Sequence, residues 1–332
     1  MRRGQFWAGA RGVTKAIALP FLLLIVLTGF AGQQAPPAGE DHDPGSFRIS
    51  VDVALVVLHV TVSDRKGGFV SDLREQDFVI YEDGVPQHIR LFRNEDSPVT
   101  VGLVVDHSTT MRPRLAEVAA AAQTFVRSSN PEDQVFVVNF NEKVSLGLPS
   151  LLRFTNKTAI LEYAITTAPA GGQTALYDAI AKALEELQAG SRDKKVLIVI
   201  SDGGDNARAR NLTQLMTLAG QSRAVIYTIG LYDESDPTRN LGMLRRLAQT
   251  TGGEAYFPEE LSEVVAICAR IARDIRHQYT VGYVPTNLSG DGAQHAIRVV
   301  AQRKGNDRLT VRTRTSYVAG GEPQLDGKGA AK

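Results

Sequence analysis

Oxygen-bearing side chains gather at three places in this 332-residue sequence, each next to a regular element. An apolar run, TVGLVV (100–105), leads into Asp106-His107-Ser108-Thr109-Thr110-Met111. The loop APAGGQ (168–173) delivers Thr174 just ahead of a helical stretch. A second apolar run, KVLIVIS (195–201), ends in Asp202-Gly203-Gly204-Asp205-Asn206. Carboxylates and hydroxyls are hard donors, the kind that Mg²⁺ and similar cations take. An open parallel sheet forms its sites beyond the carboxyl ends of its strands, where the strand order reverses; Asp106 and Asp202 both stand at such ends. Two other roles are open to the same residues. Acids at strand ends also serve Mg²⁺-dependent phosphatases. Asp, Ser and Thr are also preferred helix caps, so Asp106, Ser108 and Thr174 could simply start helices and Asp202-Gly203-Gly204 could be a turn.

The elements that must position these residues follow from periodicity. After Pro98, strand and helix alternate, which implies βαβ units and a mostly parallel, Rossmann-like doubly wound sheet. Strands are expected at 100–105, 134–140, 195–201 and 224–230, with an edge strand at 143–146 and a short last one at 253–257. Helices are expected at 115–127, 157–166, 176–188, 212–222, 239–250 and 261–276. Before this region, residues 47–97 read as β structure: a strand from Val51 to Thr61, a Gly-containing turn at 64–68, and a hairpin. The hairpin runs from Phe78–Tyr81 through the turn Glu82-Asp83-Gly84 to Gln87–Phe92. After His277 the period returns to two, with three antiparallel strands at 278–284, 295–301 and 308–315. Each flank is short of strands, so the two are expected to pack together as one β-sandwich-like module with the α/β domain inserted between them.

D-x-S-x-[ST] after an apolar strand, a Gly-rich loop with Thr before a helix, and an apolar strand ending in S-D-G together resemble the metal-ion-dependent adhesion site of von Willebrand factor A domains. Each motif alone is short; all three in order, each at an element boundary, are specific. The flanks, VTVSDRKGGFVSDLREQDFVIYEDG before and YTVGYVPTN after, are similar to those of the bacterial exported proteins called VWFA-related. The resemblance implies a metal set of Ser108, Thr110 and Thr174 as hydroxyl ligands and Asp106 and Asp202 as carboxylates acting largely through water. It also implies Mg²⁺, or Mn²⁺ or Ca²⁺, as the ion and a protein ligand whose Asp or Glu carboxylate completes its coordination. Position 110 is Thr where Ser is usual, which keeps the oxygen and adds a methyl. Asp205 and Asn206 stand as alternative ligands or as a solvated turn, Asp178 as a surface or packing residue, and His107 as a group at the site's rim or in solvent.

Composition sets the remaining bounds. Lys+Arg number 37 and Asp+Glu 36, so nothing suggests a nucleic-acid binder, which would need a strongly basic domain. Arg2, Arg3, Arg11 and Lys15 precede the uncharged run AIALPFLLLIVLTGFA (16–31), with small residues at Gly29 and Ala31, the pattern of a secretory signal over residues 1–31. Removing those four charges leaves 33 basic residues against 36 acidic, a mildly acidic exported protein of the periplasm or the outside. Contact with a membrane would come only through that segment left uncleaved. Residues 32–46 and 319–332, rich in Gly, Pro and charge, are expected to be disordered. The one cysteine, Cys268, sits in an apolar helical stretch and is expected to be buried. No phosphate loop, nucleophile elbow, H-E-x-x-H or zinc spacing of histidines is present, so a binding module rather than an enzyme is expected. Two alternatives are a Mg²⁺-dependent hydrolase and a protein whose β module does the recognition with the α/β domain as scaffold.

Overall fold

The computed structural model describes residues 55–207, 210–231, 240–286, 292–303 and 309–319. The expected signal, the linker after it and residues 320–332 lie outside these, as do Val51 and Val53 of the first expected strand.

The chain opens with β1 (Val56–Ser63), β2 (Phe78–Glu82), β3 (Val85–Gln87) and β4 (Ile89–Arg93). The α/β part follows: β5 (Val99–Asp106), α1 (Leu115–Ser128), β6 (Gln134–Phe140), β7 (Val144–Leu146), α2 (Thr158–Thr166), α3 (Leu176–Leu187), β8 (Lys194–Ser201), α4 (Leu212–Gln221), β9 (Val225–Gly230), α5 (Leu241–Thr251), β10 (Ala255–Tyr256) and α6 (Glu263–Arg276). It ends with β11 (Tyr279–Tyr283), β12 (Gln294–Ala301), β13 (Thr310–Arg312) and β14 (Ser316–Val318). The central sheet has the order β10-β9-β8-β5-β6-β7, and only its edge strand β7 is antiparallel. This is the α/β fold that the alternation of elements implies. Every residue of β5 and β9 is buried, which is why both read as unbroken apolar runs rather than alternating ones. The chain leaves β5 toward β6 on one side and reaches β8 on the other, so the strand order reverses at β5 and β8. Ligand sites of open sheets form at that point.

Some close approaches in this part admit only glycine. At Gly253, just past the left-handed Gly252 that ends α5, an added Cβ would stand 2.0 Å from the backbone carbonyl oxygen of Ile226. Backbone cannot step aside as a side chain can. Gly253→Ala is therefore expected to cost about 1–3 kcal/mol of stability in urea unfolding, as overpacking usually does.

The flanking strands form two four-stranded antiparallel sheets, β13-β1-β11-β4 and β14-β12-β2-β3. Each sheet mixes strands from before and after the α/β part, and both contribute to one apolar core that includes Leu58, Val60, Phe78, Ile80, Tyr279, Val281, Ile297 and Val299. The flanks thus form the shared β module expected of them. Three local expectations need correction. Gln87–Phe92 is not one hairpin strand: β3 pairs with β2, but the chain crosses at His88 and β4 pairs with β11 in the other sheet. Pro86 lacks an N–H and suits the edge position that β3 occupies, so the hairpin is short. Of the run at 308–315 only Thr310–Arg312 forms a strand, β13, and β14 follows beyond it in a different sheet, so four strands follow α6 among the described residues rather than three. Ala319, placed in the disordered tail by composition, is buried, and its N–H donates to the Ala293 carbonyl at 2.9 Å.

Candidate metal centre

β5 and β8 are parallel neighbours, with Val105 opposite Ile200, so the residues that leave their carboxyl ends emerge side by side. Asp106 has no exposed surface. Its Oδ1 accepts the Ser108 N–H at 2.8 Å, which bends the chain sharply out of the strand, and its Oδ2 accepts the Ser201 hydroxyl at 2.6 Å. Ser108 Oγ lies 3.1 Å from Thr110 Oγ1, which donates to Asp202 Oδ2 at 2.6 Å. Asp202 Oδ1 accepts the Gly204 N–H at 3.0 Å. Asp106, Ser108, Thr110 and Asp202 therefore form one connected group of oxygens across the β5–β8 seam.

Thr174 is placed through its backbone beside the segment that follows Asp202. Its N–H donates to Asn206 Oδ1 at 2.8 Å, and its carbonyl accepts the N–H groups of Asn206 and Ala207 at 3.0 Å each. The loop that carries it is thereby laid along the segment following Asp202. The loop's other side is fixed to the β5 end: Gly171 N–H donates to the His107 carbonyl at 2.8 Å and the Arg112 guanidinium to the Ala170 carbonyl at 2.6 Å. Gly171 and Gly172 adopt φ of +145° and +83°, which L side chains rarely tolerate, so the glycines are what let this loop fold back. Thr174 is buried, but no side-chain hydrogen bond ties it to the other four residues among those described.

None of the five caps a helix with its side chain. α1 begins from Arg114, α3 from Ala175 and α4 from Asn211, and of these only Asn211 caps with its side chain. Ser108 precedes a short 3₁₀ turn but makes no side-chain cap. The capping alternative therefore does not describe these residues. His107 is also not at a rim or in solvent. It is buried, with Nε2 3.0 Å from Asn139 Oδ1, and Asn139 in turn donates to the Ala164 carbonyl at 2.7 Å. Successive residues of an extended segment point to opposite sides, so turning Asp106 toward Ser201 sends His107 inward to β6 and α2. Burial holds its imidazole below the ordinary histidine range.

Asn206 is exposed in the loop after β8, as the solvated-turn reading has it, and Asp205 is half-buried. Asn206 anchors the Thr174 backbone, and Asp205 Oδ1 accepts the Tyr177 N–H at 3.3 Å in the first turn of α3. Asp178 pairs with Arg210. Cys268 is buried as expected, which pushes its thiol up to about 12. Ser201 is the positioning residue that the sequence reading did not single out, whereas Asn206, read there as an alternative ligand or a turn residue, positions Thr174 instead. Ser201 was hidden as the last residue of an apolar strand.

The electrostatics of the group favour an added cation. Burial, and then the nearby Asp202 carboxylate, push the Asp106 carboxyl up to about 6. Among the described residues, the hydrogen-bond donors to the two carboxylates include the Ser108 and Gly204 N–H groups and the Ser201 and Thr110 hydroxyls, all neutral. Buried carboxylates are normally paired with a cation, and here no Lys or Arg among the described residues forms an ion pair with either. The donor set consists of oxygen alone, which suits a hard divalent ion.

The comparisons agree with this fold. The von Willebrand factor type A domain model matches residues 101–267, half of the chain, and the chain belongs to that family. Domains of this type are typically metal-dependent protein-binding modules and usually non-catalytic. A curated relative, the uncharacterized protein sll0103 of Synechocystis sp., is 25% identical over 171 residues, which is 51% of this chain. The chain spans 39% of that relative's length. Among solved structures, a von Willebrand factor type A protein from Catenulispora acidiphila is similar at 13% identity and TM-score 0.47, over 79% of this chain and 73% of that one. The manganese-loaded Plasmodium vivax TRAP protein is similar at 15% identity and TM-score 0.41, over 72% of this chain and 98% of that one. Proximal thread matrix protein 1 of the mussel byssus, with a zinc occupied MIDAS motif, is similar at 16% identity and TM-score 0.43, over 54% and 48%.

Proposed function

We propose that this protein is a metal-dependent protein-binding module of the cell envelope or the outside, and not an enzyme. One observation carries the reading: two buried carboxylates and two hydroxyls form a single group with only neutral donors around it among the described residues. Ser108, Thr110 and Thr174 would offer hydroxyl oxygens, and Asp106 and Asp202 carboxylates. Mg²⁺ is the ion this set fits best, with Mn²⁺ or Ca²⁺ as substitutes. A cation held there, with its charge only partly neutralised, supplies an electrophile for an Asp or Glu carboxylate of a protein partner. Thr110 keeps Asp202 in place through its hydroxyl, and Ser201 does the same for Asp106. The basic-then-apolar segment before Ala31 supports export.

The hydrolase alternative has less support among the described residues. A phosphatase needs a nucleophile and a cationic grip on phosphate. Arg112 and Arg114, the nearest cations in sequence, are engaged with the carbonyls of Ala170 and Thr110. Isothermal titration with Mg²⁺ is the direct test. One equivalent is expected in the wild type and none in Asp106→Ala. Capture of a partner from an envelope fraction should stop in EDTA, return with Mg²⁺ and be absent in Asp106→Ala. Mg²⁺ binding that Asp106→Ala leaves unchanged would refute the site. Phosphate-ester turnover that requires both Mg²⁺ and Asp106 would instead favour the hydrolase.

A further inference from the structure

On the β module, outside the oxygen group, three residues bring a second and chemically different donor set together. Glu82 ends β2, Asp83 follows it in the turn to β3, and His295 lies in β12. Their candidate ligand atoms all fall within 4.8 Å of one another. Glu82 and His295 are 3% and 6% exposed, whereas half of the Asp83 side chain faces solvent.

The surroundings fix each of them. Asp83 and Gly84 take φ of 48° and 82°, the left-handed pair of a tight hairpin turn, and Asp83 Oδ1 accepts the Ala296 N–H at 2.8 Å. That leaves Asp83 Oδ2 directed at His295 Nδ1, 2.7 Å away. Glu82 Oε2 accepts two phenols, Tyr283 at 2.6 Å and Tyr317 at 3.1 Å. Its other oxygen, Oε1, faces the same His295 Nδ1 across 3.9 Å. That distance is too long for a hydrogen bond. A single proton on Nδ1 can bond to only one of the two carboxylates, and it bonds to Asp83. The buried Glu82 oxygen, aimed at the same point, is left without it.

We propose that Glu82, Asp83 and His295 form a second divalent-metal site, selective for a borderline transition ion such as Zn²⁺ rather than for Mg²⁺. A nitrogen with two carboxylates suits Zn²⁺, whereas the Asp106 group offers only oxygen. Ligands at about 2.1 Å around a tetrahedral ion stand roughly 3.4 Å apart. The observed spacings of 2.7 and 3.9 Å bracket that value. Replacing the shared proton by the ion releases it to solvent. The solvent-facing side of Asp83 leaves a fourth position for water. Tyr283 and Tyr317 act as positioning residues that hold Glu82 by its far oxygen. Because the site ties a turn before the α/β part to a strand after it, a bound ion would staple the two flanks of the chain together.

Asp106→Ala isolates this site from the first. The full-length variant, stripped with EDTA and desalted, is titrated with Zn²⁺ against a chromophoric chelator. One equivalent is expected, with a rise in Tm on binding. Adding His295→Ala or Asp83→Asn should remove that equivalent. Tyr283→Phe should weaken it by about 10-fold with the stoichiometry kept. Co²⁺ in place of Zn²⁺ should give visible absorption bands that His295→Ala abolishes. Asp83 is at the surface, so Asp83→Asn keeps the test decisive even where His295→Ala does not fold. An Asp106→Ala protein that binds no Zn²⁺, or an equivalent that survives both His295→Ala and Asp83→Asn, would overturn the proposal. In the first outcome the three residues are simply an imidazole–carboxylate ion pair. The test does not depend on the Asp106 site being real.

Discussion

Asp106→Asn is expected to make the metal-free protein more stable at pH 7, by on the order of 3 kcal/mol, while abolishing its response to Mg²⁺. Most substitutions at fully buried positions destabilise, so this sign is diagnostic. The Asp106 carboxyl is pushed from 3.8 up to about 6, first by burial and then by Asp202. A carboxyl with a raised folded-state value stabilises the fold in its protonated form. That contribution is complete below about 3.8 and is lost as the pH rises through about 6. At pH 7 the metal-free fold therefore carries a buried charge next to another. Asn keeps the shape and the oxygen that accepts the Ser108 N–H, and its amide can donate to Ser201, whose hydroxyl can turn to accept. Urea unfolding in EDTA should show the two proteins converging near pH 4 and separating toward pH 7, with Asn the more stable. Mg²⁺ at about 100 times its Kd should restore some 2.7 kcal/mol to the wild type and nothing to the variant. Greater stability of the wild type in EDTA at pH 7 would mean that the carboxylates are not in conflict, and the electrostatic case for a cation would fail.

How much of this was legible beforehand depended on the range of the interaction. The α/β part declares itself locally: buried parallel strands read as apolar runs, and the helices between them carry amphipathic patterns such as Val118, Ala121, Ala122 and Phe125 on one face of α1. The candidate site was legible for the same reason, because a strand end in this fold specifies where its next residues emerge. Asp106 and Asp202 needed only the knowledge that β5 and β8 are neighbours. What escaped was long-range. Nothing in Gln87–Phe92 says that the strand changes sheets at His88, since that is decided by pairing with β11, nearly two hundred positions away in the chain. His107 looked polar and therefore exposed, and only the side-chain amide of Asn139 makes its burial tolerable. Ser201 had no periodic signal, because in a strand buried on both faces a small polar residue looks like one more core position. The donor set at His295 was invisible for a similar reason: its partners lie on a turn that composition marks only as a turn.

The largest loss of stability is expected from Arg312→Ala, at about 3–5 kcal/mol. Arg312 lies on β13 and reaches Asp274 on α6, a carboxylate with no exposed surface. Asp274 Oδ1 accepts the Thr61 hydroxyl of β1 at 2.7 Å, and Oδ2 accepts the Tyr227 phenol of β9 at 2.9 Å together with the Arg312 guanidinium. Gln278 adds a second layer, donating to Thr61 at 3.2 Å and to Tyr227 at 3.1 Å. A single buried acid thus joins the last helix, the central sheet and both flanks of the β module. Of its three hydrogen-bond partners only Arg312 carries charge, so removing it leaves the buried Asp274 carboxyl held by neutral hydroxyls, with the buried Lys194 ammonium as a more distant cation that acts on it. The reverse deletion should cost less. Arg312 keeps 22% of its side chain exposed, has Glu254 at 3.6 Å, and donates to the Gly252 carbonyl at 2.7 Å. Replacing both together, as in Asp274→Leu with Arg312→Met, should recover much of the loss, because apolar groups in place of a buried pair are often neutral or better. Urea unfolding of Asp274→Leu, Arg312→Met and the double variant gives the coupling directly. A double variant that loses much less than the sum of the two singles, with an unchanged m value, is expected, since the β module and the α/β part should still unfold together. Should Arg312→Ala fall within 1 kcal/mol of the wild type, roughly the worth of a surface pair, the network would be decoration and the attachment of the β module would have to rest on its apolar contacts alone.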